Sequence, residues 1–508
     1  MRAKILLLLI GITLSLISCR SDFETVASNG RLEFSLDTVY LDTVFANIGS
    51  STYQLKVYNK SNNDISIPVI KFAKGLTSKY RMTVDGMQGN NGKIFNNVDL
   101  LAKDSLYIFI ETTANIADAN TADFLYTDQI QFDSGQNLQN VELVTLIQDA
   151  VFLYPKRFVD GTKEKLPIGN QMIEGFFLDE NDPINGNELR FTNAKPYVIY
   201  GYAAVPSNKI ATFEAGTRVH FHANSGIIVA NNASIQVNGS LSTTEKLENE
   251  VIFEGDRLEP DFANIPGQWG TIWLTDGSTN NSFNHLTIKN ATIGILIQNN
   301  DLSTVSIKNT QIYNSSNYGI LAQTAKIKGE NVVINNAGQA SLACTYGGDY
   351  QFTHSTFNNN WNSSQQVAVF ITNFINGAVP ESKNLTKATF NNCIIYGSNS
   401  NEMSLNRKTA ATFNYQFNNC LIKFDNSSAR FDTNPDYQFT TDAIHYNAII
   451  LNKDPKFFNI SRNKFNIDET SASFAKGNSA FLVPFDITGK TRTLPPDLGA
   501  YQNKVFLK

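Results

Sequence analysis

The sequence has few charged residues. Asp, Glu, Lys and Arg make up 17% of the 508 residues, and the formal net charge is −5. A chain with this balance lacks the positive potential that neutralises phosphate groups, so we expect no binding to nucleic acid. Hydrophobic residues make up 42%, and Asn, Ser, Thr and Gly are abundant. This composition is typical of an exported protein that is rich in β-structure.

Cysteine and metal-binding patterns are also scarce. Four cysteines are present, and no Cys or His spacing fits a zinc site, so we expect neither a metal nor a cofactor. Cys393 and Cys420 follow the similar phrases TFNN and QFNN, which predicts that they stack on neighbouring turns of a repeat. A stacked pair could form a disulfide. Buried thiols are the favoured alternative, because small apolar side chains suit an internal stack.

The amino terminus lacks an apolar run long enough to cross a bilayer. Residues 5–17 are thirteen mostly apolar residues after a basic start, whereas a spanning helix needs about 20. This pattern predicts a signal peptide over residues 1–18. The phrase LISC, which ends at Cys19, resembles a bacterial lipobox, and the resemblance implies a lipid such as palmitate on Cys19. The alternative is an ordinary secretion signal in which Cys19 is incidental.

Residues 19–30 are expected to form a tether. The tether begins with RSDFE after Cys19. This phrase resembles the short acidic sequence by which some outer-membrane lipoproteins are marked for the cell surface, and a plain acidic tether is the alternative. The expected location is the outer membrane, to which the lipid anchors the protein. The sequence is compatible with either the periplasmic or the extracellular side.

Short alternating strands separated by turn residues fill residues 31–150. About seven strands in roughly 120 residues predict an immunoglobulin-like β-sandwich. The phrase VFANIGSSTYQLKVYN, which begins at Val44, resembles Ig-like spacer or docking modules. Asp37 and Asp42 lack the further ligands of a Ca²⁺ site, so we interpret them as charges that protect an edge strand. Residues 151–195 are expected to connect this domain to the next one, which begins at residue 196, and to cover the first coil of that second domain.

Residues 283–361 repeat one short phrase: an alternating apolar strand, an Asn-bearing turn, and a Gly with an apolar partner. Ile312, Ile334 and Phe357 occupy matched positions, as do Gly294 and Gly319, and the matches are 22, 23 and 25 residues apart. Such a period predicts a solenoid. The frame of a leucine-rich repeat is missing, whereas Asn and Gly suit tight left-handed corners. We therefore predict a right-handed parallel β-helix over residues 196–508.

Two stretches resemble the pectin-lyase-like β-helix superfamily. ATFEAGTRVHFHANSGIIV, from Ala211, and PGQWGTIWL, from Pro266, are similar to its opening coils. The stretch from Asn452 contains DPKF, DITGKTR and PPDLGAY, and it resembles the closing segment of many exported bacterial β-helix proteins. Leu498 stands where that segment usually has Ile. The resemblance implies the fold and a C-terminal cap from about residue 452, but it implies no activity.

The catalytic phrases of that superfamily are missing. Polygalacturonase-type enzymes need Asn-Thr-Asp, Asp-Asp, Gly-His-Gly and Arg-Ile-Lys, and pectate-lyase-type enzymes need an Asp cluster; neither set is found. The best remaining candidate for ligand binding is the loop 254–270, whose aromatic and charged side chains could grip a sugar. The candidate residues in and beside it are Asp256, Arg257, Glu259, Asp261, Trp269 and Trp273. The alternative is a loop that its own ion pairs stabilise.

The remaining histidines and lysines suggest no site. His220 and His222 share one face of a strand, and we interpret them as a surface or satisfied pair. His354 and Lys289 stand alone in the sequence.

We therefore expect a lipid-anchored envelope protein whose β-helix binds polysaccharide or a protein partner without catalysis. One alternative is a carbohydrate-active enzyme of the polysaccharide lyase type, and another is a structural role in adhesion. Lys or Arg beside carboxylates on consecutive coils would favour the enzyme. Aromatic and Asn ladders without a basic residue nearby would favour binding or scaffolding.

Overall fold

The computed structural model describes residues 24–121, 123–169, 171–300, 303–377, 380–427 and 429–506. The predicted signal peptide and Cys19 lie outside the described residues, so both remain predictions. The described chain is all-β with large parallel sheets, as the sequence predicts. It divides into two compact units, with the division between Asp149 and Ala150.

Helical structure in the described residues is limited to single 3₁₀ turns. These turns are Gly75–Thr77, Ile116–Asp118, Gly135–Asn137, Pro260–Phe262, Pro435–Tyr437, Ile460–Arg462 and Ser479–Phe481. Within the described residues there is no helix long and apolar enough to span a membrane.

The first unit consists of a six-stranded sheet and a four-stranded sheet. Inward-facing positions alternate with solvent-facing ones along the strands, and the inward side chains form one buried core that includes Leu41, Ile67 and Ile108. The larger sheet contains Val26–Ala27, Thr38–Phe45, Ile65–Phe72, Ile94–Leu100, Leu125–Phe132 and Gln139–Gln148. The smaller sheet contains Glu33–Phe34, Tyr53–Tyr58, Tyr80–Val84 and Ser105–Thr112.

Pairing within the first unit is mostly antiparallel. Thr38–Phe45 is an exception, because it lies parallel to Gln139–Gln148 at the end of the larger sheet. In the smaller sheet the order places Tyr80–Val84 at one edge, beside Ser105–Thr112.

The second unit is built from two long ladders. In the eleven-strand ladder every pair of neighbours is parallel. Its strands are Val151–Leu153, Tyr197–Ile199, Arg218–Phe221, Val251–Gly255, Leu286–Lys289, Gln311–Ser315, Val333–Ala337, Thr356–Asn359, Ile394–Gly397, Leu421–Ile422 and Ile450–Leu451.

The eighteen-strand ladder is also parallel, apart from the antiparallel pair at its start, and it consists of two parallel series of strands that join at the long strands Tyr318–Glu330 and Ala340–Thr353. Its strands are Lys165–Ile168, Gln171–Phe177, Arg190–Phe191, Tyr202–Val205, Ile210–Phe213, Gly226–Val229, Ser234–Asn238, Trp269–Leu274, Ser282–Asn284, Ala291–Gln298, Val305–Lys308, Tyr318–Glu330, Ala340–Thr353, Val367–Thr372, Leu385–Asn391, Met403–Asn406, Gln416–Asn418 and Tyr446–Asn447. A separate pair joins Phe374–Ile375 to Glu381–Ser382.

The repeat read from the sequence matches the observed register. Ile312 pairs with Ile334, and Ile334 pairs with Phe357, so the predicted matches are confirmed. All three side chains are fully buried. Gly294 and Gly319 also lie at matched positions, where a Cβ atom on Gly294 would come within 2.5 Å of the Gly319 carbonyl oxygen. These glycines therefore allow consecutive strands to approach.

Asparagine occupies the corners between strands. Asn309, Asn331 and Asn392 have φ angles of 45°, 53° and 54°, a left-handed conformation that Asn tolerates better than most residues. The Asn331 side chain donates a hydrogen bond to Oδ1 of Asn309 at 2.9 Å, and that of Asn309 donates to Oδ1 of Asn284 at 3.0 Å. Asparagine therefore satisfies the backbone geometry of each corner and also connects one coil to the next.

The three cysteines in the described residues are free and buried. Cys393 and Cys420 precede the paired residues Ile394 and Leu421, so they stack on neighbouring strands as predicted. The favoured interpretation, buried thiols, agrees with the structure. Burial raises the pKa of the Cys420 thiol well above its usual range.

The C-terminal segment, residues 452–506, packs along the outer face of the eleven-strand ladder. Asn335 donates a hydrogen bond to Oδ1 of Asn463 at 2.7 Å, and the backbone N–H of Ala500 donates to Oγ1 of Thr356 at 3.1 Å. Apolar side chains of the segment, Ile487 among them, bury themselves against this face. The sequence resemblance implies a cap over terminal coils, whereas these contacts run along the side of the ladder.

Candidate functional site

The structure separates the residues of the predicted ligand-binding loop. Asp256, Arg257 and Glu259 follow the strand Val251–Gly255 of the eleven-strand ladder. Arg257 forms a salt bridge with Glu259 at 3.1 Å, and its guanidinium lies 3.8 Å from the ring centre of Phe262. Asp261 lies exposed in the 3₁₀ turn Pro260–Phe262. These contacts fit a loop that its own ion pairs and a cation–π contact stabilise.

The two tryptophans face in opposite directions. Trp269 is only 1% exposed and stacks on Phe221 with ring centres 4.3 Å apart, and its Nε1 donates a hydrogen bond to the Lys289 carbonyl oxygen at 2.8 Å. Trp269 is therefore a core residue, and the predicted role in gripping a sugar needs correction for this residue. Trp273 is half-buried on the outer side of the eighteen-strand ladder and donates to Oε1 of Gln298 at 2.8 Å.

His220 and His222 both have partners, as the interpretation of a satisfied pair requires. His222 Nδ1 lies 2.7 Å from Asp256 Oδ2, and this hydrogen bond raises the pKa of His222. His220 is buried, with Nδ1 3.9 Å from Glu254, and burial lowers its pKa. Asp256 is therefore engaged with a histidine.

A charged row crosses consecutive strands of the eleven-strand ladder. His220 pairs in register with Glu254, and Lys289 pairs with Tyr313. The Nζ atom of Lys289 lies 3.1 Å from Oε2 of Glu254, so these two strands are joined by an ion pair. Lys289 is alone in the sequence, but the fold gives it an acidic partner. Asn335 follows Tyr313 in the same row.

Beside this row lies the tail groove, a cleft of about 650 Å³ between the outer face of the eleven-strand ladder and the C-terminal segment. Its floor comes from Lys289, Gln311 and Tyr313 of the ladder and from Glu250, which precedes the strand Val251–Gly255. Its walls come from the loop 241–247 and from the C-terminal segment, and the main polar and aromatic residues of the walls are Thr243, Thr244, Glu245, Arg462, Asn463, Lys464, Tyr501 and Lys504.

A hydrogen-bond network runs along the floor. The hydroxyl of Tyr313 donates to Oε1 of Gln311 at 2.7 Å, and that of Tyr501 donates to the same oxygen at 3.4 Å. Thr287 donates to Oε2 of Glu250 at 2.6 Å, and Gln311 Nε2 lies 3.4 Å from that oxygen. Because every member has a partner, the network holds these side chains in fixed positions.

The groove contains more cations than carboxylates. Lys289, Arg462, Lys464 and Lys504 line it, together with only two acids, Glu245 and Glu250. Lys464 pairs with Glu245 across the opening. Arg462 and Lys504 are exposed, and neither forms a salt bridge within the described residues.

Glu250 precedes the strand Val251–Gly255 and Glu254 lies in it, and the pKa values of their carboxyl groups shift in opposite directions. Burial raises the pKa of Glu250. Burial also acts to raise the pKa of Glu254, but Lys289 and His220 outweigh it, so that pKa is lowered. Among the described residues, no group of three or more His, Cys, Asp or Glu side chains is arranged to hold a metal ion.

Sequence reasoning missed the floor of this groove. Lys289 and Tyr313 each follow a core isoleucine, Ile288 and Ile312, and these isoleucines are paired in register. The residues that follow the matched isoleucines, Lys289 and Tyr313, could therefore have been predicted to lie side by side on the outer face. No comparable signal existed for Arg462 or Lys504, because their segment has no repeat.

Comparisons with known proteins give no family. No family model matches the chain, and no curated protein matches it in sequence. Among solved structures, a family 123 glycoside hydrolase from Clostridium perfringens aligns with 24% of this chain and 30% of its own at 6% identity and a TM-score of 0.17. PapD-like domain 7 of human CEP192 aligns with 24% of this chain and 87% of its own at 11% identity and a TM-score of 0.16.

Proposed function

We propose that this protein is a lipid-anchored envelope protein that binds an anionic polysaccharide in the tail groove without cleaving it. In this proposal Cys19 bears the lipid, the first unit is an Ig-like spacer, and the second is a right-handed parallel β-helix of the pectin-lyase-like type. The parallel ladders with their repeating register support the solenoid, and the lipobox-like phrase supports an outer-membrane address.

The excess of cations in the groove is the observation that supports the ligand class. Exposed Arg462 and Lys504 form no salt bridge among the described residues, so they can pair with carboxylates or sulfates of a glycan chain. An open cleft that is lined in this way suits a chain better than a small, fully enclosed ligand.

Binding assays with polygalacturonate and alginate test this proposal, and dextran serves as the neutral comparison. We expect the double variant Arg462→Ala/Lys504→Ala to bind the acidic polymers at least about 10-fold more weakly, because the loss of two ionic contacts removes more than about 1.4 kcal/mol. Affinity should also fall as salt increases.

The matched control is Lys453→Ala/Lys476→Ala, which removes two exposed cations of the same segment outside the groove. This control should bind like the unmodified protein. Equal losses in both double variants would indicate a general charge effect, and no binding of either acidic polymer would refute the proposal.

A polysaccharide lyase is the second candidate function, and the Glu254–Lys289 pair on neighbouring strands favours it. In such a reaction a base removes the proton beside a uronate carboxylate, and the glycosidic oxygen leaves to give an unsaturated sugar. Lys289 lines the groove beside Tyr313, and its ammonium group would pair with the uronate carboxylate and so ease removal of the neighbouring proton. Ultraviolet-absorbing products that Lys289→Ala abolishes would replace the binding proposal with this one.

The proposed anchor has its own test. We expect the Cys19→Ala variant to leave the membrane fraction, because alanine has no thiol to which the lipid can be attached. Fractionation of cells that produce either form measures this, with an outer-membrane marker as reference. A Cys19→Ala protein that remained in the same membrane fraction would exclude lipid anchorage.

A further inference from the structure

The first unit has a cavity of about 630 Å³ beside the edge strand Tyr80–Val84 of its four-stranded sheet. We name it the edge cavity. Its lining includes Thr52, Arg81, Gln88, Asn91, Phe109 and Glu111. The cavity thus combines one aromatic ring with amide, hydroxyl and charged groups.

The charges in this lining are already paired. Arg81 contacts Glu111 through Nε at 2.9 Å and through Nη2 at 2.7 Å, and its Nη1 donates to Oγ1 of Thr113 at 2.9 Å. Thr52 donates to the other oxygen of Glu111 at 2.5 Å, which is the main reason that the pKa of Glu111 is lowered. An anionic ligand would therefore find no unpaired cation in this lining.

The sheet edge beside the cavity is also occupied. The backbone N–H of Met82 donates to the Gly92 carbonyl at 2.9 Å, and that of Val84 donates to the Met87 carbonyl at 3.1 Å. The connecting loop therefore uses the donors that an added peptide strand would need. An extended peptide that extends the sheet is not the occupant that fits this site.

Two aromatic rings remain at the surface here. Phe109 is 41% exposed and Tyr107 is 37% exposed, and their rings lie nearly parallel with centres 6.3 Å apart. Both project from the outer face of the strand Ser105–Thr112, where Phe109 lies opposite Gln54 and Thr83. The exposed side-chain amides of Gln88 and Asn91 line the same cavity as Phe109, and neither amide is hydrogen-bonded within the described residues.

We propose that the edge cavity binds a neutral sugar unit of a glycan chain, with Phe109 as the stacking surface. A pyranose ring has one apolar C–H face, which suits an aromatic ring, and hydroxyls at its edge, which suit the amides and Thr52. The paired Arg81 and Glu111 contribute hydrogen bonds without a net charge. This site uses different residues from the tail groove and takes a ligand of different charge.

Calorimetric titration of the full chain with cellohexaose, maltohexaose and mannohexaose tests the proposal, and tri-galacturonate serves as the acidic comparison. We expect at least one neutral hexaose to bind. Phe109→Leu keeps the apolar volume but removes the ring, and it should weaken that binding at least 10-fold. Phe109→Tyr keeps the aromatic ring and should bind that hexaose as the unmodified protein does.

Tyr40→Ala is the matched control, because it removes another exposed aromatic of the same unit, 67% exposed, from the other sheet. It should leave binding unchanged, as should Arg462→Ala/Lys504→Ala in the tail groove. Thermal unfolding of each variant checks its fold. Failure of all three neutral hexaoses to bind, binding that Phe109→Leu leaves intact, or binding of tri-galacturonate alone would overturn the proposal.

Discussion

At the scale of single residues, Trp269 and Trp273 show how one bulge changes the role of a side chain. They lie four residues apart, and strict two-residue alternation would place them on the same face. The register shifts between Thr271 and Ile272, and from that point the buried positions are Ile272 and Leu274. Trp269 therefore points into the core and Trp273 points outward.

This difference predicts unequal stability losses. Trp269→Ala should destabilise the protein by about 3–5 kcal/mol, because it opens a cavity beside Phe221 and leaves the Lys289 carbonyl without its donor. Trp273→Ala should cost only about 1–2 kcal/mol, because its ring is half-buried. Urea unfolding of both variants measures the free energies. Equal losses would contradict the assignment of Trp269 to the core.

Glu402 predicts a pH dependence of stability. Its carboxyl is fully buried, Oε2 has no partner within the described residues, and burial raises its pKa to about 8. In the unfolded chain the pKa returns to about 4.3. The folded protein thus retains a proton that the unfolded chain releases, so the contribution of Glu402 to stability is greatest below about pH 4 and falls as pH rises towards 8.

The expected slope for this one group is at most about 1.4 kcal/mol per pH unit. Glu402→Gln imitates the protonated carboxyl and should flatten this part of the curve. Chemical unfolding of both proteins at several pH values between 5 and 8 measures the difference. The assignment fails if the two curves remain parallel.

At the scale of elements, the asparagine corners connect neighbouring coils through side-chain hydrogen bonds. Asn309 adopts a φ of 45°, accepts a hydrogen bond from Asn331 and donates one to Asn284. Asn309→Gly should lose these bonds, at about 1 kcal/mol each, together with the contact from Asn309 Nδ2 to Nε2 of His285 at 3.3 Å. Asn309→Ala loses the same bonds and also strains the backbone.

We therefore expect Asn309→Ala to be less stable than Asn309→Gly by about 1 kcal/mol, which is the cost of the left-handed conformation for an L-residue. Thermal or urea unfolding of the two variants gives this difference directly. A glycine variant that is the less stable of the two would show that backbone strain does not govern this corner.

At the scale of the whole molecule, each unit has its own hydrophobic core. The core of the first unit includes Leu41 and Ile108, and that of the second runs from Leu153 to Tyr446. A unit with a complete core is expected to fold alone.

The fragment 24–149 should therefore unfold in one cooperative transition. It should also bind neutral hexaoses with the affinity of the full chain if the edge cavity acts as proposed. Circular dichroism during heating measures the first property and calorimetry the second. A fragment without cooperative unfolding would show that the first unit depends on the rest of the chain.

Local sequence patterns were sufficient for the class of structure. Alternating apolar residues and a short, regular period predicted parallel stacking, because the same side chains must meet in each repeat to bury a continuous core. The register of Ile312, Ile334 and Phe357 follows from this rule. The stacking of Cys393 and Cys420 follows in the same way.

Only the tertiary structure decided where the polar groups meet. Lys289 finds Glu254 on the strand before it, and Tyr501 approaches Gln311 from a distant part of the chain. No period connects the C-terminal segment to the ladder that it covers. A repeat determines which residues face inward, whereas the outward groups meet according to how non-repeating segments pack. The core of this protein could therefore be predicted from its sequence, whereas the tail groove could be recognised only in the tertiary structure.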